Sequence, residues 1–234
     1  MCDVGRHNES NRVAWIERTL ERIPAGWSLL DAGAGEGQFQ KFCSHLRYTS
    51  QDFAQYDGSG DGRGLQTQRW DQRKLDIVSD ITAIPREDDS FDAVMCTEVF
   101  EHIPDPLAAL GEFSRLLRPG GYLVLTAPFC SLSHFTPYHF ATGFSRYWYR
   151  THLPARGFEI LELEENGNFF EYIGQELRRV NGVANRYAMA GLSELDQKAI
   201  GKVLEILHRF SEADTGSAEL LHFGCHVLAR KTAA

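Results

Sequence analysis

The chain lacks any long apolar run. No stretch of its 234 residues approaches the ~20 apolar residues that a membrane-spanning helix needs, and the polar N-terminus contains no apolar signal core. Positive charge is also scarce, because 32 acidic residues outnumber 24 basic ones and the formal net charge is −8. Proteins that bind nucleic acid usually carry a basic stripe, and none is present. We therefore expect a cytoplasmic protein with no membrane span and no nucleic-acid partner.

Cysteines are few and scattered. They are odd in number and never occur in C-x-x-C spacing, which argues against a disulfide framework or a zinc ribbon. The five are Cys2, Cys43, Cys96, Cys130 and Cys225. His222 and His226 flank Cys225 on a predicted strand, but on a strand the thiol points away from both histidines. The acidic clusters of a magnesium-dependent catechol site are not evident either, so the sequence predicts no metal site.

The most informative stretch that is present runs from residue 28 to residue 46. Ser28 to Ala32 forms an apolar run that predicts a short buried strand, and Gly33, Gly35 and Gly37 follow at once. Glycine has no Cβ, so a ligand can approach the backbone closely at this turn. Residues 38–46 resume helical spacing, which predicts a helix opened by the turn. Such a turn at the carboxyl end of a strand can hold a nucleoside.

A nicotinamide dinucleotide is the obvious competing ligand for this turn. Its fingerprint is G-x-G-x-x-G, whereas the spacing here is G-x-G-x-G with Asp31 just before the first glycine. A pyrophosphate is stabilised by helix-end amides and disfavours a nearby anion. A ligand that carries a sulfonium and an α-ammonium group instead favours carboxylates such as Asp31 and Glu36.

These residues resemble motif I of the class I S-adenosylmethionine (SAM) dependent methyltransferases, in the small-molecule, type 11-like branch, and the resemblance continues to about Phe158. It implies SAM as cofactor and S-adenosylhomocysteine as product. Asp52, about twenty residues past the glycines, is placed to accept the ribose hydroxyls. The resemblance assigns Asp80 to the adenine amine and Ile81 to the adenine ring. The predicted cofactor-binding residues are Asp31, Gly33, Ala34, Gly35, Gly37, Asp52, Asp80, Ile81, Thr97 and Glu98.

Methyl transfer to a hydroxyl needs a base that removes its proton. The first candidate is His102, since the run from Glu98 to His102 resembles an E-x-x-E-H segment in which the histidine faces the methionine end of the cofactor. His134 and His139 are further candidates, because the loop after the fifth strand overhangs the acceptor in this architecture. Each histidine has a plainer interpretation as a capping, packing or surface residue.

The whole pattern predicts a single α/β domain over residues 1–234. We expect a doubly wound, mostly parallel sheet of seven strands with an antiparallel last strand. Residues 168–219 are expected to form a helical lobe inserted before that strand. The predicted strands are 28–32, 48–52, 76–79, 91–96, 122–127, 159–163 and 221–229, with helices at 10–23, at 106–117 and from about residue 145. An Arg-Pro-Gly-Gly turn at residues 118–121 is expected to separate a helix from the fifth strand.

The predicted activity is SAM-dependent methylation of an oxygen or nitrogen on a small-molecule acceptor. No Asn/Asp-Pro-Pro-aromatic motif follows the fourth strand, which argues against an adenine or glutamine amino-methyltransferase. A sugar, a sugar nucleotide or a natural-product intermediate is the favoured acceptor, from the resemblance of the later segments to enzymes of those pathways. Two alternatives stay open: a nicotinamide-dependent oxidoreductase, and a catalytically silent SAM-binding subunit that regulates a partner.

Overall fold

A computed structural model describes residues 2–67, 69–71 and 74–233. Its described residues form one seven-stranded sheet in the order β3-β2-β1-β4-β5-β7-β6. The strands are β1 (Ser28–Ala32), β2 (Arg47–Asp52), β3 (Ile77–Val78), β4 (Phe91–Thr97), β5 (Leu117–Pro128), β6 (Phe158–Asn166) and β7 (Gly224–Lys231). The α-helices are α1 (Asn8–Glu21), α2 (Pro106–Leu116), α3 (Arg146–Ala155), α4 (Phe169–Tyr187) and α5 (Glu194–Glu212).

The central strands run parallel. β1 pairs in parallel with both β2 and β4. β2 also pairs in parallel with β3, and β4 pairs in parallel with β5. β7 runs antiparallel to β5. β1 and β4 are buried along nearly their whole length, as expected for strands of a sheet that is covered on both faces. The predicted α/β fold is confirmed, and it brings the carboxyl ends of β1 to β4 to one edge of the sheet.

The chain divides into two compact units. One contains residues 14–164 and 224–233, with a core in which Leu30, Val94 and Leu125 are fully buried. In the other, formed by residues 2–13 and 165–223, the guanidinium of Arg178 donates to the carbonyl of Val4. Within the described residues, no helix is both long enough and apolar enough to cross a bilayer.

The predicted helix over residues 38–46 is wrong. This segment contains one short 3-10 helix, Gln40–Phe42, among turns. The amides of Gly37, Gln40 and Cys43 each donate to the carbonyl three residues earlier, which is the 3-10 pattern. Nine residues separate Gly37 from the start of β2, and turns and this one short 3-10 helix occupy them.

The Arg-Pro-Gly-Gly turn is also placed differently from the prediction. β5 begins at Leu117 and includes residues 118–121, because Leu117 pairs with Phe91 of β4 before the register shifts and Tyr122 pairs with Ala93. Four residues of β5 thus lie opposite one residue of β4, which is a bulge in the strand. Residues 168–219, for which the sequence predicts a helical lobe, contain α4, α5 and a short 3-10 helix, Ser217–Glu219.

Candidate functional site

A cavity of about 480 Å³ lies at the carboxyl edge of strands β1 to β4, within the unit that contains residues 14–164. Its described wall takes Gly33 from the turn after β1, Asp52 from β2, Asp80 from the segment after β3 and Glu98 from the segment after β4. Ligands of open α/β sheets bind at this edge, in the crevice where the strand order reverses. The sheet therefore brings residues that lie 65 positions apart in sequence, from 33 to 98, into one site.

The glycine turn is shaped by close packing. Gly33 has a φ of +79°, and a Cβ at that position would lie 2.5 Å from a methyl carbon of Val99. The amides of Gly33 and Ala34 both donate to the carbonyl of Gln51 at 2.9 Å, and the amide of Gly35 donates to Asp52. These amides bind the protein itself, so they are not offered to a pyrophosphate in the way a dinucleotide site requires.

Asp52 connects the turn to β2. One carboxylate oxygen accepts the amide of Gly35 at 3.0 Å and the other accepts the amide of Ala54 at 2.9 Å. Burial raises the pKa of Asp52, while the backbone hydrogen bonds act in the opposite direction. Its carboxylate is thus held at the cavity wall in a defined orientation.

The predicted adenine residues also lie in the wall. Asp80 accepts both the amide and the hydroxyl of Thr82 at 2.8 Å, which orients its carboxylate. Ile81 is nearly buried and contributes an apolar surface beside it. An acid and an apolar face therefore stand next to each other in the wall, and their contact with adenine stays a prediction.

Glu98 occupies the end of β4 with a positive φ of 55°. Its amide donates to the carbonyl of Thr126 at 2.9 Å, and the hydroxyl of Thr126 donates to its carboxylate at 2.9 Å. A non-glycine residue in this conformation costs free energy and persists only where the surroundings enforce it. Here the two hydrogen bonds to Thr126 of β5 hold Glu98 in this conformation.

Some predicted cofactor residues lie outside the described wall of this cavity. Asp31 is only 2% exposed and accepts the hydroxyl of Tyr48, and burial raises its pKa to about 7. Ala34 and Thr97 are buried as well. Gly35 and Gly37 line a separate, polar cavity of about 340 Å³.

The three candidate histidines form one cluster. The ring of His102 lies 4.6 Å from that of His134 and 6.2 Å from that of His139, measured between centroids. Only His102 belongs to the described cavity wall. The Nε2 of His139 lies 3.2 Å from the hydroxyl of Ser131.

Hydrogen bonds set the tautomer of two of these histidines. The Nδ1 of His102 donates to the carbonyl of Tyr138, and the Nδ1 of His134 donates to the carbonyl of Leu132 at 2.8 Å. In the neutral imidazoles Nε2 then carries a lone pair. Burial, followed by the nearby His134, lowers the pKa of His102 to about 3, so its ring stays neutral at physiological pH. Burial would lower the pKa of His134 too, but the carboxylate of Glu101 raises it overall.

Aromatic rings on two loops complete the wall, and sequence reasoning did not single them out. Tyr56 stacks on Phe135 at 4.8 Å and meets Trp70 edge-on at 4.9 Å. Leu65 connects the loops, because its amide donates to Ser133 and its carbonyl accepts from Phe135. The full aromatic set comprises Phe53, Tyr56, Trp70, Phe135, Tyr138 and Phe140. The available signal was the presence of aromatic residues in otherwise polar, glycine-rich loops.

The comparisons with known proteins decide the family. Residues 5–180, most of the chain, match the family model described as a methyltransferase domain. The chain belongs to the class I SAM-dependent methyltransferases. The family and fold predicted from the motif are therefore confirmed, and the nicotinamide alternative is not supported.

The curated relatives of this methyltransferase have names that refer to quinones. It is 34% identical over 118 residues to the ubiquinone biosynthesis O-methyltransferase of Xanthomonas oryzae pv. oryzae. The match covers 49% of this chain and 48% of the relative. It is 30% identical over 135 residues to the demethylmenaquinone methyltransferase of Mycobacterium sp. strain KMS, with 56% and 55% covered. The chain thus spans about half the length of the curated relatives it matches.

Among solved structures, this methyltransferase is similar to phosphoethanolamine N-methyltransferase 2 of Haemonchus contortus in complex with SAM. The TM-score is 0.55 at 19% identity, and the match covers 95% of this chain and 53% of the other. At this level of identity the likeness concerns the fold.

Proposed function

We propose that this methyltransferase binds SAM in the cavity and transfers its methyl group to a hydroxyl oxygen of a small, ring-containing acceptor. The observation that carries the proposal is the arrangement of Asp52, Asp80 and Glu98 along one strand edge, with the neutral His102 in the same wall. Three carboxylates line the described wall, whereas lysine and arginine are absent from that part of it. This balance favours a cationic ligand over a dinucleotide.

In the proposed complex, Asp52 accepts the two ribose hydroxyls and Asp80 accepts the amine of adenine, whose ring packs on Ile81. Glu98 pairs with the α-ammonium group. Each of these carboxylates is already oriented by the protein through backbone or hydroxyl donors, so cofactor binding requires little reorganisation. Gly33 lets the backbone approach the ligand.

The acceptor then lies between the cofactor and the aromatic loops. Attack must be in line with the breaking bond between sulfur and methyl carbon, and positioning of this kind can supply roughly 7–11 kcal/mol of the barrier. The acceptor oxygen forms a bond to the methyl carbon, the carbon–sulfur bond breaks to leave S-adenosylhomocysteine, and the hydroxyl proton passes to a base. In the protein without a metal ion, we assign the base to His102, the histidine of the described wall, whose Nε2 carries the lone pair.

An apolar ring fits this wall better than a sugar nucleotide does. Tyr56, Trp70 and Phe135 offer faces and edges for stacking. A sugar nucleotide would bring a diphosphate to a wall whose described part carries three carboxylates. The names of the curated relatives also favour a ring acceptor, because each name refers to a quinone. The sugar acceptor expected from the sequence stays a prediction, and a panel of acceptors compares it directly with ring hydroxyls.

Two measurements test the proposal. Calorimetric titration with SAM and with NADH is expected to give saturable SAM binding and none with NADH. Incubation with methyl-labelled SAM and a panel of catechols, hydroquinones, free sugars and sugar nucleotides is expected to release S-adenosylhomocysteine with the ring hydroxyls. NADH binding without SAM binding would overturn the proposal. Tight SAM binding with no product from any acceptor would instead favour the silent regulatory subunit.

A further inference from the structure

Glu101 is a buried carboxylate, and one of its oxygens has no hydrogen-bond partner within the described residues. It is 1% exposed, and it follows β4 in the short 3-10 helix Phe100–His102. Within the described part of the chain, neither its Oε2 nor the Nε2 of His102 has a hydrogen-bond partner. Buried polar atoms are almost always paired, since leaving one unpaired costs free energy. Two such atoms on neighbouring residues therefore require an explanation.

A third ligand atom points to the same place. The Oε1 of Glu101 lies 3.6 Å from Nε2 of His102 and 3.7 Å from Nε2 of His134. The carboxylate oxygen and the two ring nitrogens all lie within 4.8 Å of one another. Atoms that bind one zinc ion at about 2.0–2.1 Å lie roughly 3–4 Å apart, so small side-chain rotations bring this set into range.

Both histidines make the Nδ1 hydrogen bond that is typical of metal-binding histidines. Each imidazole donates its Nδ1 proton to a backbone carbonyl, that of Tyr138 for His102 and that of Leu132 for His134. Metal-binding histidines usually make this contact, which fixes the ring and leaves Nε2 free to coordinate. The Nε2 atoms of two imidazoles and a carboxylate oxygen thus lie close together, an arrangement that is stable when a cation or a proton lies between them.

We propose that Glu101, His102 and His134 bind one divalent transition-metal ion. Two imidazole nitrogens with one carboxylate oxygen are a set that suits Zn²⁺, Fe²⁺ or Co²⁺ and leaves coordination positions open. His102 lines the cavity, so the proposed site borders the space that a small molecule would occupy. No metal site was predicted from the sequence, in which 32 positions separate His134 from His102 and no short motif joins them.

The ion also has a chemical use at this place. An acceptor hydroxyl bound to such an ion would lose its proton more readily, because a cation lowers the pKa of a hydroxyl that it binds. The proton would then pass to water, since Nε2 of His102 would be a metal ligand and not a base. This use rests on the proposed function, whereas binding of the ion does not.

Metal binding is tested on the tag-free chain of residues 1–234 after treatment with a chelator. Titration with Zn²⁺ and with Co²⁺ is expected to show one ion per chain, and Co²⁺ is expected to produce visible absorption bands. Glu101→Gln and His134→Gln are each expected to weaken binding by at least about 10–100-fold, the loss seen even for outer-shell partners. His139→Gln is the matched control, because it alters a third histidine of the cluster whose Nε2 is paired with Ser131, and it should bind normally.

Circular dichroism of each variant shows whether the fold is retained. Glu101→Gln keeps the size of the buried side chain, and His134 lies on a loop, so at least one of the two variants is expected to fold. Absence of saturable binding to the wild type overturns the proposal and leaves a shared proton as the explanation of the cluster. Equal affinity in wild type and both folded variants overturns it as well. Titration with SAM in the presence of chelator reports on the proposed function separately.

Discussion

The hydroxyl of Tyr48 donates a hydrogen bond of 2.6 Å to Asp31, the residue before the glycine turn. Burial raises the pKa of Asp31 to about 7 from a usual value of 3.8, and the charge of Asp52 adds to this rise. The folded state thus holds a proton on Asp31 that the unfolded state has already released above pH 4. This residue therefore stabilises the fold below about pH 4, and the contribution is lost as pH rises from about 4 to about 7.

We expect Asp31→Asn to remove this pH dependence. The amide cannot ionise, so the free energy of unfolding of the variant relative to wild type should rise between pH 5 and pH 7.5. Urea denaturation at the two pH values measures the change, and the comparison with wild type cancels the titration of other groups. Parallel pH profiles for wild type and variant would contradict the assignment.

Asp52→Asn is expected to weaken SAM binding by roughly 1–3 kcal/mol, because the ribose hydroxyls lose a charged acceptor while the side chain keeps its size. Isothermal titration calorimetry gives the affinity. Glu159→Gln, a surface carboxylate on β6 that pairs with Arg230, serves as the control and should bind SAM normally. Unchanged affinity in Asp52→Asn would show that the ribose lies elsewhere.

Gly33→Ala tests the close packing of the turn. A Cβ would overlap Val99, and the φ of +79° is unfavourable for alanine, so a loss of about 1–3 kcal/mol in stability is expected, together with weaker SAM binding. In the double variant with Val99→Ala only the overlap is relieved. Partial recovery of the melting temperature in a double-mutant cycle is expected, and strictly additive losses would exclude the contact as the cause.

Trp70→Ala is expected to loosen the loop segment that carries Tyr56 and Leu65 from the loop of residues 131–140. The indole contacts Tyr56 and Phe135, both of which hold the loops together. Limited proteolysis should cut these loops faster in the variant than in wild type, since cleavage follows the population of the open form. Tyr147→Ala removes an aromatic ring that is 70% exposed on α3 and should leave the cleavage rate unchanged.

His102→Ala is expected to leave SAM affinity within about twofold and to reduce turnover by about 10²–10⁴-fold, the usual contribution of a general base. A loss is expected with or without a bound ion, because the variant lacks both the proposed base and a proposed metal ligand. Turnover is measured as release of S-adenosylhomocysteine with an acceptor found in the screen. Full activity of the variant would exclude His102 as the base and as a required metal ligand.

Residues at strand ends were predictable from the sequence, because their positions follow from local patterns. An apolar run followed by Gly33 defines the end of β1, and Asp52 and Asp80 follow from the same rule at the next two strands. The sheet then brings them together, whatever the loops do. This is why the position of the cavity agrees with the predicted edge of the sheet.

Pairings between distant loops could not be predicted in this way. Trp70 and Phe135 meet only because two loops 65 residues apart pair through their backbones, and a single sequence contains no record of that contact. The same holds for Glu101 and His134. The helix predicted over residues 38–46 failed for a local reason, since the amides of Gln40 and Cys43 bond to the carbonyls three residues earlier and the segment forms turns and a 3-10 helix.

The backbone bridge between Leu65 and His134 has one more consequence. The loop segment around Leu65 and the imidazole that faces Glu101 therefore belong to the same backbone-paired unit. A substitution that displaces Leu65 is expected to displace His134 as well, and so to change the distances among Glu101, His102 and His134.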